Sequence, residues 1–256
     1  RAIGTVNRNF GRTVDRISSG LRIVSARDDA AGLGVATNLS TQARSIRVSM
    51  RNTNDGISII QTSEGILSTT QDMLQRMREL AVQSASETLG NDERAYLDTE
   101  FFNLLDEIKK MTIRSEYNGI SIGGLGVTQL SVQVGIHNSS DSRVTIDLAD
   151  LKTIFIGVRT ERVNTVTNAQ AALDAIDLTL DSSNSMRSRL GAVQNRLESA
   201  LNSSAIKMEA LESASSRIMD ADYAYETAEM AKQQIIQQAA VAAMSHAKNM
   251  SRAVIS

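Results

Sequence analysis

Residues 59–82 read IIQTSEGILSTTQDMLQRMRELAV, and the spacing inside this stretch decides the fold. Ile59, Ile66, Met73 and Leu80 recur at strict seven-residue intervals, with Ile60, Leu67, Leu74 and Met77 beside them. A sustained heptad lines apolar side chains along one seam of an α-helix, and another helix must cover that seam. The C-terminal end answers with Ile236, Ala240, Ala243, Ala247, Met250 and Val254 at intervals of 4, 3, 4, 3 and 4, next to Ile235. Seams so far apart in one chain predict long helices that pack on each other or on neighbouring copies. No proline interrupts them, although average usage would place about 13 in a chain of 256 residues. Proline lacks the N–H and clashes with the preceding turn, so its absence suits uninterrupted helix.

Outward from this stretch the pattern continues in both directions. Residues 1–19 carry Ile3, Val6, Phe10 and Ile17 on one seam with Thr13 between them, and Gly20 follows as a left-handed helix stop. A polar connector, Leu21 to Arg27, leads to Asp28 and Asp29, whose negative charge suits a helix N-terminus. The next helix is predicted over about 29–86, with an irregularity near Gly56 and an end at Thr88-Leu89-Gly90. Asn91 reads as the N-cap of a helix over 91–114 with Leu97, Phe101, Leu104, Ile108 and Met111 on its seam. Over 117–165 the period falls to two: Leu130, Val132 and Val134, then Val144, Ile146 and Leu148, alternate with polar residues around a turn-rich 137–142, as in a β-hairpin. Helical spacing resumes over about 168–201 with Ala169, Leu173, Ile176, Leu180, Leu190, Val193 and Leu197. Ser203-Ser204 reads as a joint, and a last helix runs from about Leu211 to the end.

The fold expected is mainly α, an elongated bundle of long antiparallel helices with one short β-hairpin region. Ile59, Ile66, Met73, Leu80, Phe101, Leu104, Ile108, Leu173, Ile176, Leu190 and Leu197 are expected to supply its core. Ile3, Val6, Phe10 and Ile17 at one end, and Ile235, Ile236, Ala240, Ala243, Ala247 and Met250 at the other, are expected to drive assembly.

Composition narrows the function classes. With 27 basic and 29 acidic residues interleaved, the chain lacks the clustered basic footprint of a nucleic-acid binder. Arg8, Arg12 and Arg16 form a short stripe that reads as a solvated helix face. Aromatic residues make up only 3% of the chain and tryptophan is absent, so the apolar content sits in Ala, Leu, Ile, Val and Met, the residues of narrow helix seams. There is no cysteine, hence no disulfide framework and no thiolate metal site. No apolar run reaches the 18 residues of a membrane span, and no secretory h-region is visible, so no membrane insertion and no cleavable signal peptide are expected. The start at Arg1, inside a helical pattern, implies residues upstream.

Candidate chemistry fails on inspection. Ser204-Ala205-Ile206-Lys207 has the S-x-x-K spacing, without the motifs that would supply a second base and an oxyanion hole. Gly123-Gly124-Leu125-Gly126 opens no helix and lacks the Lys-Ser/Thr of a phosphate loop. His137 and His246 lie in different segments with no second metal ligand at a workable spacing. Neither a catalytic function nor a cofactor is expected.

Six stretches carry a family resemblance. Ile17-Ser18-Ser19-Gly20-Leu21-Arg22-Ile23 and Ser25-Ala26-Arg27-Asp28-Asp29-Ala30-Ala31-Gly32-Leu33 resemble the N-terminal signature of bacterial flagellin. Arg51-Asn52-Thr53-Asn54-Asp55-Gly56-Ile57-Ser58 and Gln75-Arg76-Met77-Arg78-Glu79-Leu80-Ala81-Val82-Gln83 are similar to two further blocks of that family. Leu190-Gly191-Ala192-Val193-Gln194-Asn195-Arg196-Leu197-Glu198-Ser199 and Ser216-Arg217-Ile218-Met219-Asp220-Ala221-Asp222-Tyr223-Ala224 resemble its C-terminal rod helix and final signature. Departures are Val24 for the usual Asn, Arg27 for Lys, Tyr117 for Phe and Ser251 for Pro.

The resemblance implies an extracellular flagellar filament subunit for swimming motility, sent out through the flagellum's type III pathway and polymerising with copies of itself. It implies an export chaperone and a filament cap as partners. Residues 1–28 and 216–256 would form the inner D0 domain and 29–215 the D1 domain, without the variable outer domains. Gln75, Arg76, Arg78, Glu79, Leu80, Gln83 and Glu100 would contact the neighbouring subunit and, on free monomer, the vertebrate innate receptor TLR5. The rivals are a hook–filament junction protein, which shares the terminal architecture, and a signalling coiled coil, which would have no β segment. An enzyme is the weakest alternative.

Overall fold

The computed structural model describes residues 2–122, 129–148, 156 and 158–255, with side chains from residue 4 to residue 245. Helix α1 spans Ala2–Ser19, α2 Ala30–Ser84 and α3 Asn91–Arg114. Strands β1 (Glu116–Tyr117), β2 (Ile120–Ser121), β3 (Gln129–Gln133) and β4 (Arg143–Asp147) follow, then α4 (Val166–Met219) and α5 (Tyr223–Ile255). By their contacts the residues fall into two compact units, 1–45 with 206–256, and 46–205.

Capping side chains explain where the helices begin. Asp29 accepts a hydrogen bond from the Gly32 N–H at 2.8 Å, opening α2. Asp222 accepts from Ala224 and Tyr225 N–H at 2.9 and 3.1 Å, opening α5. Helix α3 differs from expectation: Gly90, not Asn91, holds the cap position, in extended backbone, and Asn91 is the first helical residue. Helix α2 also passes through Gly56 without irregularity, and the glycine serves packing, because a β-carbon there would crowd Val132. Helix α4 runs on through Ser203-Ser204 to Met219. The chain breaks at Asp220–Asp222 instead, where the Ala221 N–H donates to Gly20 O at 2.9 Å and Asp222 turns to cap α5.

In the unit of residues 46–205, the buried line along α2 is Ile46, Ser49, Thr53, Gly56, Ile60, Ser63, Leu67, Thr70, Leu74, Met77, Ala81 and Ser84, at alternating intervals of three and four. The seam thus runs one residue beside the heptad that starts at Ile59. Ile59 and Leu80 are still buried, whereas Ile66 and Met73 are half-buried along the flank. Half of the seam is Ser, Thr or Gly, which a count of apolar residues passes over. Thr53, Ser63 and Thr70 reach the interior because each hydroxyl donates to the carbonyl four residues back, at 2.9, 2.9 and 2.8 Å. Helix α3 buries Arg94, Asp98, Phe101, Leu105, Ile108 and Thr112, with Leu97 and Leu104 half-buried beside them. Helix α4 buries Ala169, Ala172, Ile176, Thr179, Ser183, Met186, Leu190 and Leu197, and Leu173 is half-buried.

Strands β3 and β4 pair antiparallel, with Leu130 opposite Ile146 and Val132 opposite Val144. Val132, Val144 and Ile146 are buried in the same core as the helices. A second, smaller hairpin joins β1 to β2 through Asn118 and Gly119, both at positive φ (49° and 77°), as a two-residue Asn-Gly turn requires. Residues 123–126 and most of 149–157 lie outside the described residues.

In the unit of residues 1–45 and 206–256, α1 packs against α5. Val6, Phe10 and Ile17 are half-buried and Thr13 is buried. The opposing face of α5 is largely polar: Glu226 and Gln233 are buried, Gln237 donates to Asn7 at 3.0 Å, and Arg16 pairs with Glu226 at 3.2 Å. The seam expected on α5 is correspondingly turned away. Ile235, Ile236 and Ala243 are exposed and Ala240 is half-buried, while the side chains of Ile3, Ala247 and Met250 lie outside the described residues.

Candidate assembly and recognition surface

The block Gln75–Gln83 sits on α2, so its side chains divide between two faces. Met77, Leu80 and Ala81 point into the core, and Leu80 is only 1% exposed. Leu80 is therefore a core residue and not an available contact, which corrects the expectation that it faces a partner. Gln75, Arg76, Arg78, Glu79, Val82 and Gln83 are exposed. The apolar member of the exposed face is Val82, which periodicity centred on Leu80 passed over. Gln75, Arg78, Glu79, Val82 and Gln83 line an open groove of about 410 Å³.

Both arginines of the block are held by neighbouring helices. Arg76 Nε and Nη2 donate to Glu100 Oε1 of α3 at 2.9 and 2.7 Å, and Nη1 donates to Glu79 at 2.9 Å. The Glu100 hydrogen bonds, with Glu79 second, raise the already high pKa of this guanidinium. Arg78 spans to α4 instead, where Nε and Nη2 meet the two carboxylate oxygens of Asp177 at 2.7 and 3.2 Å. Its hydrogen bonds and charge hold the Asp177 carboxyl below the usual carboxylate range. One heptad earlier, buried Gln71 donates to Asn184 Oδ1 at 2.8 Å and accepts from Arg187 Nη1 at 2.7 Å.

A buried polar cluster fixes the α2–α3 turn that brings Glu100 opposite Arg76. Arg94 is 4% exposed and donates to the carbonyls of Ser84 (3.0 Å), Ser86 (2.9 Å) and Leu89 (3.0 Å). Its positive charge lies where the carbonyl end of α2 attracts a cation. One turn on, buried Asp98 accepts from Arg162 Nη2 at 2.7 Å and from the Val163 N–H at 2.9 Å. Ser84 Oγ donates to Val163 O. The Arg162 guanidinium also lies 5.1 Å above the Phe102 ring, covering part of an exposed aromatic. Neither Arg94 nor Asp98 was legible as a site residue, because charged residues on a seam read as surface.

Among the described residues, no group of three or more His, Cys, Asp or Glu side chains could hold a metal ion, and no helix is long and apolar enough to cross a membrane. His137 is exposed on the loop before β4, and Ser204 and Lys207 lie along α4.

Comparison with known proteins matches residues 1–122 to the bacterial flagellin N-terminal helical region and residues 173–256 to the bacterial flagellin C-terminal helical region. The flagellin of Halalkalibacterium halodurans is 39% identical over 251 residues, which covers 98% of this chain and 92% of that protein. The crystal structure of Bacillus cereus flagellin aligns with a TM-score of 0.54 and 27% identity, covering 60% of this chain and 88% of that one. A flagellar hook-associated protein of Vibrio parahaemolyticus shares the fold at 16% identity, with a TM-score of 0.60 over 75% of this chain and 100% of that one. Matched at both ends and along nearly its whole length by a relative of the same kind, the chain belongs to the bacterial flagellin family and is a structural subunit of the extracellular flagellar filament.

Proposed function

We propose that the exposed face of α2, Gln75, Arg76, Arg78, Glu79, Val82 and Gln83, together with Glu100 of α3, is the surface through which one subunit meets the next. On free monomer the same face binds TLR5, and polymerisation hides it. The observation that carries this reading is the Arg76–Glu100–Glu79 cluster beside an open groove with Val82 in its wall. In the wall of that groove the Arg78 guanidinium stands with exposed Val82, and a planar cation beside an apolar side chain is the composition of a binding hot spot. Within this reading, residues 1–28 and 216–256 act as the inner domain and 29–215 as the surrounding one. Export is through the type III pathway, assisted by a chaperone and completed under a filament cap. A role at the hook–filament junction is the second reading, favoured by the shared fold with the Vibrio hook-associated protein.

Surface plasmon resonance of soluble monomer on the immobilised receptor ectodomain tests the contact. Arg76→Ala and Glu100→Ala are expected to weaken binding. Equal binding by wild type and both variants, or no binding by any, defeats the receptor reading. Negative-stain microscopy of the polymerised chain separates the filament role, seen as long tubes of uniform diameter, from a junction role, seen as short rings.

A further inference from the structure

Helices α2 and α4 pack through a seam that says little about its own register. The large aliphatic residues Ile60, Leu67 and Leu74 stand one heptad apart on α2, and Leu190 and Leu197 do so on α4. Small residues interrupt both lines: Ser63 lies between Ile60 and Leu67, and Ser183, whose hydroxyl has no hydrogen-bond partner, holds the place one heptad before Leu190. Sliding one helix by seven residues, about 10 Å along its axis, would again set aliphatic layers against aliphatic layers. Two polar clasps break this degeneracy. Seven residues forward on α2, from Gln71 to Arg78, correspond to seven residues back on α4, from Asn184 to Asp177, as a single antiparallel register requires.

We propose that the Gln71–Asn184–Arg187 clasp and the Arg78–Asp177 pair are the register determinants of α2 against α4. They fix which residues of the two helices stand side by side on the face offered to neighbouring subunits. A slip of seven in one direction sets Gln71 opposite Gly191, which has no side chain, and Arg78 opposite Asn184. A slip the other way sets Arg78 opposite Gln170. Either loses the carboxylate that Arg78 meets with two hydrogen bonds, and the first leaves the amide of a residue only 8% exposed without its partners. The pair is half-exposed, so its weight lies in discriminating registers rather than in stability. Arg78 then acts through α4, as a positioning residue, beyond the direct contact proposed above.

The test uses full-length monomer with spin labels on Thr69→Cys and Ser188→Cys, since the chain has no cysteine of its own. Double electron–electron resonance should give one distance in the parent and a second population in Arg78→Asp/Asn184→Leu. The exchanged pair Arg78→Asp/Asp177→Arg should restore the single distance. An unchanged distribution in the first variant, or a second population persisting in the exchanged pair, overturns the proposal. If the first variant loses its helical circular dichroism, Arg78→Ala/Asp177→Ala takes its place under the same two outcomes. Receptor binding by the exchanged pair is a separate reading: its loss with a restored distance leaves the register role standing and places Arg78 in the contact as well.

Discussion

Gly56 of α2 lies directly beneath Val132 of β3: a β-carbon at Gly56 would stand 2.9 Å from Val132 Cγ2 and 3.4 Å from Leu197 Cδ1. The hairpin is seated on the helix at the one seam position that has no side chain. Gly56→Ala gains about 1 kcal/mol of helix propensity but overpacks the contact by about 1–3 kcal/mol, so a net loss is expected. Gly65 on the same helix has nothing within 4 Å of its would-be β-carbon. Gly65→Ala should therefore stabilise monomer by about 0.5–1 kcal/mol. Urea melts of the two variants should move in opposite directions, and a shift of the same sign in both would contradict this seating.

Phe101 is fully buried between the helices of its unit. Phe101→Ala should cost about 3–5 kcal/mol in a denaturant melt, from lost transfer energy and the cavity left behind. A loss under about 1 kcal/mol would mean the site collapses around the smaller residue.

Removing Arg94 takes a donor from the carbonyl of Ser84, the last residue of α2, and from those of Ser86 and Leu89 just beyond it, of which Ser86 O keeps the Leu89 N–H at 3.5 Å. A buried unsatisfied group costs about 1–3 kcal/mol, so Arg94→Leu should destabilise by about that much although it adds apolar surface to a core. Hydrogen exchange should show the loss first at residues 84–90. Protection there equal to wild type would remove Arg94 from this role.

Acid should weaken the protein through its ion-paired carboxylates. Asp177 is held below its ordinary 3.8 by Arg78, and Asp106 likewise by Lys110. A lowered folded-state pKa contributes stability above the ordinary value, and that contribution disappears as pH falls through the folded value. The difference in stability between wild type and Asp177→Asn should therefore persist from pH 7 to about 5 and close below about pH 4. Denaturant melts at pH 6 and pH 3 measure it, and a gap of unchanged size at pH 3 would contradict the linkage.

Helix α5 meets α1 through Glu226, Gln233 and Gln237 while Ile235, Val241 and Met244 remain exposed. A helix with so little apolar burial draws little stability from its neighbour. Amides of 235–244 in monomer should exchange far faster than those of 67–81, and the gap should narrow on polymerisation. Strong protection at 235–244 in monomer would require a partner for that apolar face within one chain.

The helices, the β3–β4 hairpin and the family were legible from spacing and motif, because period and turn residues are local properties. The exact seam was not. Ser63, Thr70 and Thr179 sit inside it by handing their hydroxyl protons to Ile59, Ile66 and Ala175 carbonyls, and this arrangement leaves no trace in a pattern of apolar residues. Leu80 read as a contact because a motif names residues without saying which way a helix turns them. Asp177 became meaningful only when folding set it against Arg78, 99 residues away in sequence, and Glu100, which the resemblance had singled out, gained its partner Arg76 in the same way across 24 residues. On α5 the apolar spacing was correct as spacing, but the face it defines is turned from α1.

The hydroxyl bonds along α2 also bear on elasticity. Thr41, Ser45, Thr53, Ser58, Thr62, Ser63, Thr69 and Thr70 each donate to the carbonyl one turn back, on buried and exposed sides alike. A carbonyl shared between an amide and a hydroxyl binds the amide less tightly, and helices bend more readily at such places. Spread over residues 41–70 and over more than half of the helix circumference, these eight bonds soften it at many places instead of hinging it at one. A helix built this way spreads a bend over many turns, as a spring of many small coils does.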